Sequence, residues 1–133
     1  IIEKITAWEN RIVELFDMVE EWAASRPEWN VERGRVTQRA EQLMNEHNVM
    51  PRELPTLNLY RNRYRVSFVP SALWVVGADG RINIVTNDRL YILVDRRHSD
   101  SHPSDWQFTT IPNRPRTAPF TRDEFLGILD ENI

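Results

Sequence analysis

From Ile5 to Ala24 apolar residues recur at three- and four-residue spacing: Ile5, Trp8, Ile12, Leu15, Phe16, Val19, Trp22 and Ala23, with charged residues between them. That period winds into a single apolar stripe, so the segment reads as a long amphipathic helix set against a core. Ser25, Arg26 and Pro27 end it, because proline biases the residue before it toward extended backbone and has no N–H to continue the ladder. A shorter second helix is expected from about Val36 to His47, with Val36, Ala40, Leu43, Met44 and His47 on one face and Asn48 closing it in the left-handed conformation. Glu28 to Arg35 has no clear period, and a short strand competes there with an early helical turn.

Beyond Pro51 and Pro55 the pattern changes to alternation, and aromatic and β-branched residues become frequent. The expected strands are Tyr60 to Val69, Ala72 to Gly77, Arg81 to Thr86, Arg89 to Asp95 and Asp105 to Ile111, with Asp79-Gly80 and Asn87-Asp88 as hairpin turns. One face would carry Leu73, Val75, Ile82, Ile84, Tyr91 and Leu93, and the other Trp74, Val76, Val85, Leu90, Ile92 and Val94. Since both are apolar, the sheet is expected to be covered on both sides by helices, loops or another subunit. Arg96 to Ser104 and Pro112 to Pro119 read as surface loops. Thr121 and Glu124 form a capping box, with Phe120 placed to staple onto Phe125, so a last helix should bury Phe125, Leu126 and Leu129. The fold class is therefore α+β: N-terminal helices, one long and one short, then a mainly antiparallel β-meander of four to five strands, then a C-terminal helix. At 133 residues, a single domain over 1–133 is expected.

Composition narrows the chemistry. The absence of cysteine removes disulfides, thiolate metal sites and thiol nucleophiles, and fits a reducing compartment, so the cytoplasm is the expected location. The longest apolar stretch, Ser71 to Val76, is strand-sized and far short of the roughly 20 residues of a membrane span, so no membrane partner is expected. The first residue, Ile1, points to a start inside a longer reading frame. Sixteen arginines stand against one lysine, Lys4, a bias that coding-sequence base composition explains; it leaves no lysine in the sheet for a Schiff base or a phosphate loop. Residues 1–32 carry eight acids and three bases, whereas residues 33–65 carry seven arginines and three glutamates. The acidic helix and the basic segment are expected to pair with each other.

Three groups of residues could carry chemistry. His98, Asp100 and His102, with Asp95 and Asp105 nearby, offer imidazoles and carboxylates that could converge on a divalent metal, although the Ser- and Pro-containing loop also reads as solvated turns. Arg61, Arg63 and Arg65 would line one face of a strand whose other face holds Tyr60, Tyr64, Val66 and Phe68, a pattern suited to phosphates and stacked bases but also to a charge-protected edge strand. Ala40, Leu43, Val49 and Leu54 loosely match helix-turn-helix spacing, but Pro55 stops the second helix. There is no glycine-flanked serine elbow and no Gly-rich phosphate loop, and no cofactor is expected. Trp29, between turn-like segments, is expected to be the exposed tryptophan and a candidate interface anchor. These observations favour a small non-enzymatic binding or accessory protein acting through protein–protein interaction or self-association. A nucleic-acid-binding protein using the arginine-rich strand is the alternative, and a metal-dependent hydrolase the third reading.

Overall fold

The computed structural model describes residues 1–110 and 117–132. Its elements run α1 (Ile2–Ala23), β1 (Asn30–Thr37), α2 (Gln42–Glu46), β2 (Glu53–Arg61), β3 (Tyr64–Ala72), β4 (Arg81–Thr86), β5 (Leu90–Asp95), β6 (Trp106–Thr110), β7 (Ala118–Pro119) and α3 (Arg122–Glu131). The described strands form one antiparallel sheet in which each pairs with its neighbour in sequence, β1 to β7. The α+β class and the meander stand; seven strands replace the expected four to five.

α1 forms where its apolar stripe predicts, burying Ile5, Trp8, Ile12, Leu15, Phe16 and Val19 against the sheet's inner residues Leu57, Leu59, Val66, Phe68, Ile82, Ile84, Leu93 and Phe108. Each large side chain so buried contributes about 1.5–3 kcal/mol of transfer free energy. α3 closes the same core with Phe125, Leu126, Ile128 and Leu129. Its start is built as expected: Thr121 Oγ1 accepts the Glu124 N–H at 3.3 Å, and the Phe120 and Phe125 rings lie 6.4 Å apart. Phe120 also meets Phe108 edge-on at 5.3 Å and Trp22 at 5.6 Å, which locks the two helices and β6 into one aromatic cluster.

The structure changes some of these expectations and decides others. The second helix shrinks to Gln42–Glu46, because Val36 and Thr37 belong to β1, which pairs with β2 along all eight of its residues. A strand wins over Glu28 to Arg35 because its inward arginines find acids on α1: Arg33 bonds Asp17 at 2.7 Å and Glu20 at 3.2 Å, and Arg35 lies 4.0 Å from Glu9. Arg52, just before β2, adds a contact to Glu9 at 3.5 Å, so the acidic helix pairs with part of the basic segment, Arg33, Arg35 and Arg52. Trp29 is 4% exposed and sits in the core, since the turn after α1 folds it back under the sheet.

Tyr60 to Val69 is a hairpin and not one strand: β2 ends at Arg61, and Asn62 takes a left-handed φ of 54° that asparagine tolerates. Ala72 to Gly77 is mostly loop, so β3 joins β4 through residues 73–80 and not through a two-residue turn at Asp79-Gly80. Asn87-Asp88 does turn β4 into β5, with the Thr86 N–H donating to the Arg89 carbonyl. Helices and loops of the described residues cover one face fully and the other only in part: Ile82, Ile84, Tyr91 and Leu93 are buried inward, whereas on the other face Val94 is buried but Val85 and Leu90 are exposed. Arg96 to Ser104 is a loop as expected; the expected loop at 112–119 lies outside the described residues as far as 116, and Ala118–Pro119 pairs with β6.

Two glycine substitutions separate packing from backbone strain. Gly80 has φ 132°, and a Cβ there would lie 2.4 Å from the Trp8 ring; Gly77 has φ 78° with nothing within 4 Å. Gly80→Ala should cost about 3 kcal/mol or more in urea denaturation, and Gly77→Ala about 1–2 kcal/mol. Equal losses would contradict the Trp8 contact. A second expectation concerns acid. The fork from Arg26 Nε and Nη2 to both Asp130 oxygens, at 3.0 and 3.1 Å, holds the Asp130 carboxyl below its ordinary range and ties the end of α1 to α3. A depressed carboxyl stabilises the fold above its unfolded pKa and loses that contribution as pH falls through the folded value. Asp130→Asn should therefore flatten the acid limb of a stability–pH curve.

Candidate functional site

The end of the sheet where β3, β4 and β5 meet the first turns of α1 is organised by a buried ion pair. Arg11 Nη1 donates to Asp95 Oδ2 at 2.7 Å and to the Asp79 carbonyl at 2.8 Å, with the Arg11 and Asp95 side chains 8% and 0% exposed. The guanidinium carbon also lies 5.0 Å from the Trp8 ring centroid. Asp95 Oδ1 accepts the Asp105 N–H at 2.8 Å and the Arg97 N–H at 3.2 Å, so one carboxylate fixes α1, the end of β5 and both ends of the loop that follows.

The 73–80 loop hangs on this centre. β3 stops because the Glu41 carboxylate accepts the N–H groups of Leu73 and Trp74 at 2.9 and 3.0 Å, donors that a continuing strand would give to its neighbour. Gly77 makes the reversal, and the Ala78 N–H reaches the Val75 carbonyl at 3.4 Å. At the far end the Asp79 N–H donates to the Asp95 carbonyl and Arg97 Nε to Asp79 Oδ2 at 2.9 Å. The loop is thus held at both ends while its tip, Val76, is fully exposed. Between it and α1 lies a cleft of about 510 Å³, lined by Glu3, Lys4 and Ala7 on one side, by Leu73, Trp74, Val75 and Val76 on the other, and by Arg97 and Asp100. Its wall is largely apolar with charges at the rim, the make-up of a binding cleft.

The residues singled out in the sequence lie elsewhere. Arg61 ends β2, Arg63 is in the turn, and Arg65 is the second residue of β3, so they ring a hairpin tip and do not form one stripe. Arg63 stacks on Tyr64 at 5.2 Å and donates to its hydroxyl at 3.1 Å. Arg65 Nε donates to Ser67 Oγ at 2.9 Å, and Asn87 bonds the Arg65 N–H and the Arg63 carbonyl, stitching two hairpin tips together. Among the described residues no carboxylate lies within ion-pair distance of Arg61, Arg63 or Arg65. His98 and His102 have ring centroids 5.6 Å apart, but His102 Nδ1 is bonded to Ser99 Oγ, Asp100 pairs with Arg97, and Asp95 is taken by Arg11. Among the described residues no three acidic or imidazole groups converge on a point that could hold a metal.

Sequence reasoning passed over Arg11, Glu41, Asp79 and Arg97. Arg11 carried a readable signal: it falls three residues after Trp8 and four before Leu15, inside the apolar stripe of α1. Asp95 falls in the inward register of Tyr91 and Leu93. A cation and an anion each on a buried face imply a partner for one another.

No family model, no curated protein and no solved structure matches this chain. Among the described residues, no helix is long and apolar enough to cross a membrane.

Asp95→Ala leaves the Arg11 guanidinium with only the Asp79 carbonyl and leaves two backbone N–H groups without their acceptor, and should cost about 3–5 kcal/mol in urea denaturation. Arg11→Met leaves a carboxylate that still accepts two N–H groups, so its cost should be smaller, and the double variant should lose less than the sum. Two small additive losses would remove the pair from its central place.

Proposed function

We propose that this protein is a protein-interaction module and that a segment of its partner binds in the cleft between α1 and the 73–80 loop. The observation that carries the reading is a fully exposed Val76 on a loop fixed by Glu41, Arg11 and Arg97, next to a cleft lined by Leu73, Trp74 and Val75. An exposed apolar tip on a floppy loop is unremarkable, but a loop tied down at both ends forgoes the ordering cost that weakens association. Trp74, partly buried against the core, is the type of residue that anchors such contacts.

A random-peptide library displayed on phage and panned on the protein tests this. Enriched peptides should share a large apolar residue, and their binding should fall about tenfold or more when Ala7→Trp fills the cleft or Val76→Ser removes the tip, as truncating a central contact does. Ala7 and Val76 are both solvent-facing, so the fold should tolerate the changes. Peptides indifferent to both substitutions, or no enrichment, would count against the reading.

A second reading, nucleic-acid binding, is supported by the hairpin tips, where Arg63 and Arg65 keep their charge free of carboxylates while the β1 arginines spend theirs on α1. It predicts fluorescence-anisotropy binding of single-stranded DNA or RNA that weakens steeply with salt and with Arg63→Ala/Arg65→Ala. Salt-independent or absent binding would remove it.

A further inference from the structure

We infer that His98 and His102, on the loop after β5, together chelate one divalent cation of the kind that favours imidazole nitrogen, Cu²⁺, Ni²⁺ or Zn²⁺. A spacing of four residues brings two side chains to one side on a helix, and this stretch is a loop. The loop is folded back on itself instead. Asp95 Oδ1 accepts the N–H groups of Arg97 and Asp105, the Arg96 N–H donates to the Asp105 carbonyl at 2.8 Å, and the His102 N–H turns back to the Ser99 carbonyl at 3.0 Å. The two rings so stand 5.6 Å apart between centroids, both on exposed residues. Nitrogens held about 2.0–2.1 Å from one ion place the centres of their rings within roughly 6 Å of each other, so this separation fits a shared ion. The ring planes are tilted by 56°, which is not the parallel arrangement of a stack.

A neighbour sets up one of the two nitrogens. Ser99 Oγ lies 2.6 Å from His102 Nδ1 and 2.9 Å from Ser101 Oγ, so the hydroxyl can donate to Ser101 and accept from Nδ1–H. That tautomer leaves the ring's lone pair on Nε2, the arrangement a hydrogen-bonded partner imposes on a ligating histidine. A loop already pinned at both ends also pays little further ordering on binding. Two imidazoles do not close a coordination sphere, and among the described residues no third acidic or imidazole group completes a cluster with them; Asp100 is held by Arg97. The site is therefore open, with water in its remaining positions, and its selectivity comes from ligand type. Imidazole suits copper, nickel and zinc, whereas magnesium and calcium seek oxygen.

Calorimetric titration of the full chain with Cu²⁺, Zn²⁺ and Mg²⁺ salts tests this. One equivalent of Cu²⁺ should bind, Zn²⁺ more weakly at the same site, and Mg²⁺ not at all. His98→Ala and His102→Ala should each weaken Zn²⁺ binding by about tenfold or more, and Ser99→Ala by a smaller factor with the stoichiometry kept. His47→Ala, just past α2, should change nothing. All four residues are exposed, so the variants should fold. The electron paramagnetic resonance spectrum of the Cu²⁺ form should show coupling to two imidazole nitrogens. Absence of binding, coupling to a single imidazole, or a loss in His47→Ala equal to that in the loop variants would each overturn the inference.

Discussion

The ion pair between Arg11 and Asp95 is the constraint on which the architecture of one end of this protein turns. The Asp95 carboxylate is fully buried and the Arg11 side chain is 8% exposed, and ions taken out of water cost several kcal/mol each unless their oxygens and donors are matched; both Asp95 oxygens and Arg11 Nη1 are, while Arg11 Nε is buried without a partner. Here the matching recruits parts far apart in sequence: a helix, the carbonyl that ends the 73–80 loop, and the amides at both ends of the loop after β5. A purely apolar contact would tolerate sliding of these parts. A carboxylate with its oxygens assigned does not, and the result is a defined cleft where loops alone would give an ensemble.

Charge does different work along the rest of α1. Its solvent-side acids meet Arg33, Arg35 and Arg52 in partly exposed pairs, each worth a few tenths of a kcal/mol to about 1 kcal/mol. Their consequence is less stability than balance of sign: they neutralise the arginines of β1 and Arg52, and leave Arg63 and Arg65 at the hairpin tips without a carboxylate at ion-pair distance among the described residues.

What could be read from the sequence follows the range of the interactions. α1 and α3 were legible because the stripe and the capping box are local. So were β4, β5 and their turn, where alternation and Asn87-Asp88 agree. The hairpin at Asn62 was missed because Tyr-Arg-Asn-Arg-Tyr keeps its alternation through the turn, and only the left-handed asparagine marks it. β1 stays undecided between strand and helical turn in the sequence because Arg33 and Arg35 on its α1-facing side give no apolar alternation until the acids of α1 are brought beside them. Ala72 to Gly77 reads as a strand because its composition is that of one. What keeps it from pairing is Glu41, more than thirty residues earlier, and no window along the chain contains both. The cleft was invisible for the same reason, although Arg11 within the apolar stripe was a signal that could have been followed.

The central claim is that the buried pair holds the 73–80 loop ready for a partner. Amide hydrogen exchange reads this directly, comparing the wild type with Arg11→Met under conditions where both remain folded. In the wild type the amides of Leu73, Trp74 and Asp79 should exchange slowly, and in the variant the Asp79 amide should exchange at least about tenfold faster while those of β2 and β3 hold their protection, since local opening draws on contacts near the lost group. Fast exchange across the loop in the wild type, or no change in the variant, would contradict the account.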